Sequence, residues 1–236
     1  MQEKISISID SELLSRVDAL VDNKSLNKRS KAFEFVVREY FKNISINELV
    51  ILGGSDVTIN PKAIEENIKK LMKFGLKNIY IIGDKDFESV REKFSGLKVN
   101  VSIINEKELL GTAGALKLAS GLIHNRFFVM FINIKFDFNV EEMVKHHMQS
   151  NPVATIGVTL GRKNTIPDNI VVEGNKIVSY NKTQNQFTNA GIYVFEPSIF
   201  SYLPKKGTLD KNVFPKLAAE GQLNSYIITE NWEYLG

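Results

Sequence analysis

The stretch Leu49-Val50-Ile51-Leu52-Gly53-Gly54 places four aliphatic residues directly before two glycines. A short apolar run that stops at glycine is typical of a buried strand that ends in a tight turn. From this point to the end of the chain, short apolar runs alternate with segments of helical spacing. That alternation predicts an α/β fold built around a sheet.

The first helix after this strand has clear signals at both ends. Asn60 can cap it, Pro61 suits its first position and Gly75 follows its end, which predicts a helix over 61–74. The other main strands are predicted over 78–82, 99–104, 127–132, 153–160, 190–195 and 226–229.

Composition sets outer bounds. The 236 residues allow one large domain and a small one, and a hydrophobic content of 43% is enough for a core. The chain has no cysteine, no apolar run of membrane-spanning length and no signal-peptide pattern, so we expect a cytoplasmic protein. A net charge of +3 does not by itself argue for nucleic acid.

The amino-terminal segment has a different pattern. Lys4-Ile5-Ser6-Ile7-Ser8-Ile9-Asp10 alternates polar and apolar residues, which predicts a half-buried strand. Two helices are predicted after it, one to about Asp22 and one from near Asn27 to Phe41. Because a lone strand cannot satisfy its backbone, we expect the same strand of a second copy to pair with it as an antiparallel ribbon. The expected domains are 1–43 and 44–236.

Strand, helix, basic turn and helix within about forty residues resemble the ribbon-helix-helix DNA-binding family, the Arc and methionine-repressor type. The resemblance implies a dimer on double-stranded DNA. Outward strand positions would read bases, and the second helix's first turn would grip phosphates. By position these roles fall to Lys4, Ser6, Ser8, Asn27, Lys28, Arg29 and Ser30. The alternative is an appendage used only for dimerisation.

Four pieces of the larger domain resemble the sugar-phosphate nucleotidyltransferases. They are Val50-Ile51-Leu52-Gly53-Gly54, Glu108-Leu109-Leu110-Gly111-Thr112-Ala113-Gly114-Ala115-Leu116, Asn189-Ala190-Gly191-Ile192-Tyr193-Val194-Phe195 and Trp232-Glu233-Tyr234-Leu235-Gly236. The resemblance implies a Rossmann-like mixed sheet that binds a nucleoside triphosphate and a sugar phosphate and joins them with release of pyrophosphate. The expected fold class is therefore α/β, with this domain preceded by a small ribbon-helix-helix domain.

The resemblance also assigns binding residues. Gly53 and Gly54 would let the backbone approach a nucleotide, and Gly111, Thr112 and Gly114 would line its base. Lys182 would face a sugar phosphate and Asn189 would bind the sugar. The alternative for each glycine is a turn or close packing of a helix on the sheet.

The departures from the family pattern concern charge. The family's first loop carries an arginine and a lysine for the triphosphate, whereas Ser55-Asp56-Val57-Thr58-Ile59-Asn60 is short and has neither. The family's two magnesium-binding aspartates are replaced by Asn133 and Tyr234. Since phosphoryl transfer depends on metal and basic side chains, we expect no catalytic residues, no bound metal and no cofactor.

These features lead to one main interpretation and two alternatives. The main one is a DNA-binding transcriptional regulator whose inactive nucleotidyltransferase-like domain senses a nucleotide or nucleotide-sugar, or serves as an assembly module. The first alternative is an active sugar-1-phosphate nucleotidyltransferase with a dimerising amino-terminal segment. The second is a DNA-partition or scaffold protein.

Overall fold

The computed structural model describes residues 5–22, 24–54, 57, 59–85, 87–160, 170–180 and 187–235. The chain divides into two compact units, Met1–Ser45 and Ile46–Gly236. Within the described residues no helix is both long enough and apolar enough to span a bilayer.

The smaller unit contains two helices, α1 over Ser11–Asp18 and α2 over Arg29–Ile44. The side chain of Asp10 caps α1 by accepting hydrogen bonds from the backbone amides of Glu12 and Leu13. The predicted strand is absent from its described part, 5–10, which has no regular structure. Elsewhere in the described chain no strand pairs with this segment, and the prediction relied on a second copy for its partner.

The described part of the larger unit contains five α-helices and eleven strands. The helices are α3 (Pro61–Met72), α4 (Glu88–Lys93), α5 (Gly111–Lys117), α6 (Val140–Ser150) and α7 (Phe214–Ala219). The strands are β1 (Glu48–Leu52), β2 (Asn78–Gly83), β3 (Asn100–Asn105), β4 (Phe127–Phe131), β5 (Ile134–Phe136), β6 (Ala154–Leu160), β7 (Val171–Glu173), β8 (Lys176–Ser179), β9 (Phe187–Phe195), β10 (Leu223–Ile227) and β11 (Trp232–Tyr234).

Nine of these strands form one sheet in the order β3-β2-β1-β4-β9-β6-β10-β8-β7. The pairs from β3 to β4 are parallel, whereas β9 runs antiparallel to both of its neighbours. The predicted α/β class with a mixed sheet is therefore confirmed. Since β9 is reversed, its amino-terminal end shares an edge with the carboxyl ends of β1 and β4.

The central strands β1, β4, β6 and β9 are mostly buried, as expected for strands whose two faces are both covered. Successive residues of β1 alternate between the two cores: Leu49 and Ile51 pack with Ile64 of α3, and Val50 packs with Leu116 of α5. Because these cores occupy both faces of the sheet, the motif residues lie at the ends of its strands.

A second, two-stranded sheet pairs β11 with β5 in antiparallel register. β5 begins three residues after β4 ends, so the small sheet lies next to the carboxyl end of β4. Neither three-residue strand is predicted from the sequence, since each is too short to show a period.

Candidate functional site

The motif pieces meet at the carboxyl edge of β1 and β4. Leu52 is the register partner of Phe131, and the Ile132 amide donates to the Leu52 carbonyl at 3.0 Å. Gly53 and Asn133 therefore follow neighbouring strands at the same edge. In open α/β sheets, ligands bind at such carboxyl ends.

Gly53 is needed for packing. A Cβ atom added there would lie 2.7 Å from Cζ of Phe87, whose ring fills the space above the end of β1. Gly54 is different, because among the described residues its Cβ would meet only Val57 Cγ2, at 3.6 Å. The close-packing alternative accounts for Gly53, and the predicted nucleotide role of both glycines stays a prediction.

The Gly111–Gly114 segment, at the start of α5, packs against the loop 204–209. Gly111 has a φ of +73°, and a Cβ there would lie 2.5 Å from the Gly207 carbonyl oxygen. The amide of Leu209 donates to Thr112 Oγ1 at 2.9 Å. These residues build a close contact between two loops, and their role toward a base also stays a prediction.

Asn189 lies in a polar cluster that the sequence did not reveal. Its Nδ2 donates to the hydroxyls of Tyr180 at 3.1 Å and Tyr193 at 3.0 Å, and lies 3.4 Å from Asp210 Oδ1. Its Oδ1 accepts the Gly191 amide at 2.9 Å. This bonding fixes the orientation of the amide at the amino-terminal end of β9.

The carboxylate in this cluster is half-buried. Tyr180 donates to Asp210 Oδ1 at 3.1 Å. Burial raises the pKa of Asp210, and the hydrogen bonds from Tyr180 and Asn189 act in the opposite direction. A carboxylate held by a hydroxyl and an amide is suited to accept hydrogen bonds from a polyhydroxyl ligand. Lys182, also predicted for the sugar phosphate, lies outside the described residues.

Asn133 and Tyr234 are brought together by the small sheet. Tyr234 is the register partner of Ile134, and the Leu235 amide donates to the Asn133 carbonyl at 2.9 Å. Neither side chain is a carboxylate, and the described residues contain no group of three or more His, Cys, Asp or Glu side chains able to hold a metal. This donor set does not fit the magnesium that the family pattern implies, because magnesium prefers carboxylates.

A buried amide on α3 fixes the small sheet. Asn67 Nδ2 donates to the Ile134 carbonyl at 2.7 Å, and Asn67 Oδ1 accepts the Phe136 amide at 3.4 Å. A parallel strand bonds its neighbour in the same way, through the carbonyl before and the amide after one residue. The Asn67 side chain thus takes the place of a third strand beside β5.

The residues predicted to contact DNA lie in the smaller unit, apart from Lys4, which is outside the described residues. Ser6, Ser8, Asn27, Lys28 and Ser30 are exposed. Arg29 Nε and Nη2 bond both carboxylate oxygens of Asp18, at 2.6 and 2.7 Å, which lowers the pKa of that carboxyl. Arg29, predicted to bind a DNA phosphate, is therefore paired with Asp18 of the same chain. DNA contact stays a prediction.

Comparison with known proteins decides the family. The model of the family described as nucleotidyl transferase matches residues 57–236. The chain belongs to the nucleotidyl transferase family.

The nucleotidyl transferase chain is similar to named relatives. It is 28% identical over 217 residues to the mannose-1-phosphate guanylyltransferase catalytic subunit beta of Xenopus tropicalis, covering 80% of this chain and 60% of the relative. The chain thus spans about 60% of the length of the curated relatives it matches.

Solved structures share the fold of this nucleotidyl transferase. HddC from Yersinia pseudotuberculosis has a TM-score of 0.66 and 17% identity, covering 80% of this chain and 93% of that one. The inositol-1-phosphate CTP transferase from T. maritima has a TM-score of 0.64 and 16% identity, covering 80% and 89%.

These comparisons correct the main functional prediction. The interpretation as a DNA-binding transcriptional regulator with an inactive enzyme domain is wrong, because the curated relatives are guanylyltransferases. The expectation of a pseudoenzyme rested on four missing side chains: the arginine and lysine of the family's first loop and its two aspartates. That inference treated those positions as the only source of the required charge.

Proposed function

We propose that the chain acts as a sugar-1-phosphate nucleotidyltransferase. The names of its relatives make GTP and mannose 1-phosphate the first substrate pair to test. The observation that carries the proposal is the meeting of distant motif pieces at one edge of the sheet. Trp232 Nε1 donates to the Ala190 carbonyl at 2.8 Å, and the Leu235 amide donates to the Asn133 carbonyl at 2.9 Å.

In the proposed reaction, a phosphate oxygen of the sugar 1-phosphate attacks the α-phosphorus of the nucleoside triphosphate. A new phosphorus–oxygen bond forms, the bond from the α-phosphorus to its bridging oxygen breaks, and pyrophosphate leaves. Catalysis of such a transfer rests on positioning and on offsetting negative charge. The residues at the family's metal positions, Asn133 and Tyr234, do not fit a metal, because neither is a carboxylate.

The binding roles follow from the geometry of the edge. We place the nucleotide beside Gly54, where an added Cβ would meet only Val57 among the described residues, and against the start of α5. We place the sugar at the amino-terminal end of β9, where Asp210 and Asn189 offer a carboxylate and an amide held by neighbouring side chains. Two adjacent subsites at one edge would bring the two phosphates together.

The test is release of pyrophosphate. Each common nucleoside triphosphate is paired with mannose, glucose and N-acetylglucosamine 1-phosphates in excess magnesium. We expect turnover with at least one pair, and Asp210→Asn should raise the KM for the sugar phosphate by about tenfold, since it removes a charged acceptor. Glu233 on β11 lies outside both proposed subsites, so Glu233→Gln is the control. The absence of turnover with every pair, and of thermal stabilisation by any nucleotide or nucleotide-sugar, would reject the proposal.

We also propose that the smaller unit pairs with a second copy of the chain. Its alternating isoleucines are exposed, Ile5 by 75% and Ile7 by 53%, and Phe41 on α2 is exposed by 60%. An identical segment in antiparallel register would cover these side chains and satisfy the backbone of 5–9. This proposal keeps the dimerisation part of the ribbon-helix-helix prediction and leaves out DNA binding.

Light scattering on the full chain tests this pairing. We expect a dimer at micromolar concentration, and Ile7→Lys should shift it toward monomer. Ile227→Lys changes a side chain of similar exposure, 44%, in the larger unit and serves as the control. A wild-type chain that is monomeric at micromolar concentration would reject the pairing.

A further inference from the structure

A nucleoside triphosphate needs cations, and the turn after β1 does not supply them. The residues between Gly54 and Pro61 include neither lysine nor arginine. Lys62 belongs to the first turn of α3. If a triphosphate binds at this edge, its charge must be met from another element.

Lys85 follows the end of β2 by two residues, and its side chain reaches the segment between Gly54 and Pro61. Its Nζ donates a hydrogen bond to the carbonyl oxygen of Val57 at 3.1 Å. The Val57 amide in turn donates to the Gly54 carbonyl at 3.3 Å. The ammonium group therefore lies beside the turn that directly follows the glycine pair.

Close packing of the two strand ends fixes this position. A Cβ atom on Gly83 would lie 2.6 Å from the carbonyl oxygen of Gly53 and 2.9 Å from the Phe87 ring. Only a glycine lets the end of β2 approach the end of β1 this closely. Lys85 follows Gly83 by two residues, so the backbone itself carries the lysine to the edge.

We propose that Lys85 is the cation that holds the phosphates of the nucleoside triphosphate, in place of the basic residues missing from the loop after β1. The inference rests on the proposed function, and it names a residue that the family pattern does not. An ammonium group has three donors, and the Val57 carbonyl takes one. Lysine binds phosphate as a compact point charge.

Lys107 provides a matched control. It follows β3 as Lys85 follows β2, but it is exposed. Its replacement removes the same charge from the adjacent strand end. A general effect of net charge would therefore be the same in the two variants.

The experiment measures equilibrium binding of GTP and GMP by calorimetry to wild type, Lys85→Met, Lys85→Gln, Lys85→Arg and Lys107→Met. We expect Lys85→Met to weaken GTP binding by about tenfold to a hundredfold, the range for a charged hydrogen bond, and to affect GMP much less. Lys85→Arg should stay close to wild type, and Lys107→Met should not change.

Lys85→Gln separates the binding role from a structural one. Glutamine keeps a donor for the Val57 carbonyl but carries no charge, so it should lose GTP affinity as methionine does. A glutamine variant that binds GTP like wild type would overturn the inference, and so would an unaffected Lys85→Met. In both cases the proposed function would stand. A wild type that binds no nucleoside triphosphate would overturn both.

Discussion

The indole Nε1 of Trp232 donates a 2.8 Å hydrogen bond to the carbonyl oxygen of Ala190. Both residues are buried. β9 bulges here, since Ile156 pairs with Tyr193 but Val158 pairs with Asn189, so three residues of β9 lie opposite one of β6. The indole thus supplies a donor at a position where the main ladder is interrupted, and it ties the small sheet to the large one.

Replacing this indole should lower stability. Trp232→Phe keeps an aromatic ring but leaves the Ala190 carbonyl buried without its donor, which we expect to cost about 1–3 kcal/mol. Urea unfolding of the variant measures this. Tyr234→Phe, on the same strand and 52% exposed, should be nearly neutral. Equal losses in the two variants would contradict the importance of this bond.

Two glycines with similar backbone angles should respond differently to alanine. Gly174 has a φ of +61°, and no atom of the described residues lies within 4 Å of an added Cβ, so Gly174→Ala should cost about 1 kcal/mol from backbone strain alone. At Gly111 the φ is +73°, and the new Cβ would also meet the Gly207 carbonyl oxygen at 2.5 Å. Gly111→Ala should therefore cost roughly 2 kcal/mol or more. Thermal unfolding of both variants gives the comparison, and similar values would argue against the close contact.

The bridge from Asn67 to β5 predicts a local effect as well as a global one. Asn67→Leu should destabilise the fold by about 2–4 kcal/mol, because it leaves two buried backbone groups unpaired. Hydrogen exchange should speed up most at the amide of Phe136. Asn60→Ala, which removes only the cap of α3, is the control. Unchanged exchange at Phe136 would show that the bridge is unimportant.

Glu48 predicts a dependence of stability on pH. It is 8% exposed, and its Oε2 has no hydrogen-bond partner among the described residues. Burial raises its pKa above the ordinary 4.5, although the charge of His124 opposes the rise. The protonated form therefore favours the fold. This stability is fully present below the unfolded pKa and is lost as pH rises through the folded one.

Glu48→Gln should remove that dependence. The variant should be more stable than wild type at neutral pH and should converge with it in acid, below the unfolded pKa. Denaturant unfolding across the pH range measures the difference. If wild type gained stability on the variant as pH rose, the sign of the shift would be wrong.

The large sheet was predictable because its central strands carry strong local signals. Val50, Ile51 and Leu52 form a continuous apolar run, as buried parallel strands do, and glycines or prolines mark the neighbouring boundaries. β5 and β11 were missed because strands of three residues show no period. The amino-terminal strand was predicted from alternation, but its backbone partner would have to come from outside the chain.

The site was less accessible from sequence, because its contacts join distant elements. Lys85 and Val57 are separated by β2 and α3, and nothing local marks that lysine. Asp210 and Tyr180 meet Asn189 from different segments. Family positions identified where charge was missing, and the hydrogen bond from Lys85 to the Val57 carbonyl identified a lysine at the same edge.

The side-chain bridge from α3 to β5 has a consequence for transplanting this scaffold. The backbone position of Asn67 decides which residues of β5 are bonded, so the helix fixes the alignment of a strand in another layer. A shift of α3 by a single residue would rotate the Asn67 side chain by about 100° around the helix axis. The Ile134 carbonyl and the Phe136 amide would then lose their hydrogen bonds to it. α3 and β5 must therefore be grafted or recombined as one module, although 61 residues lie between the end of α3 at Met72 and the start of β5 at Ile134.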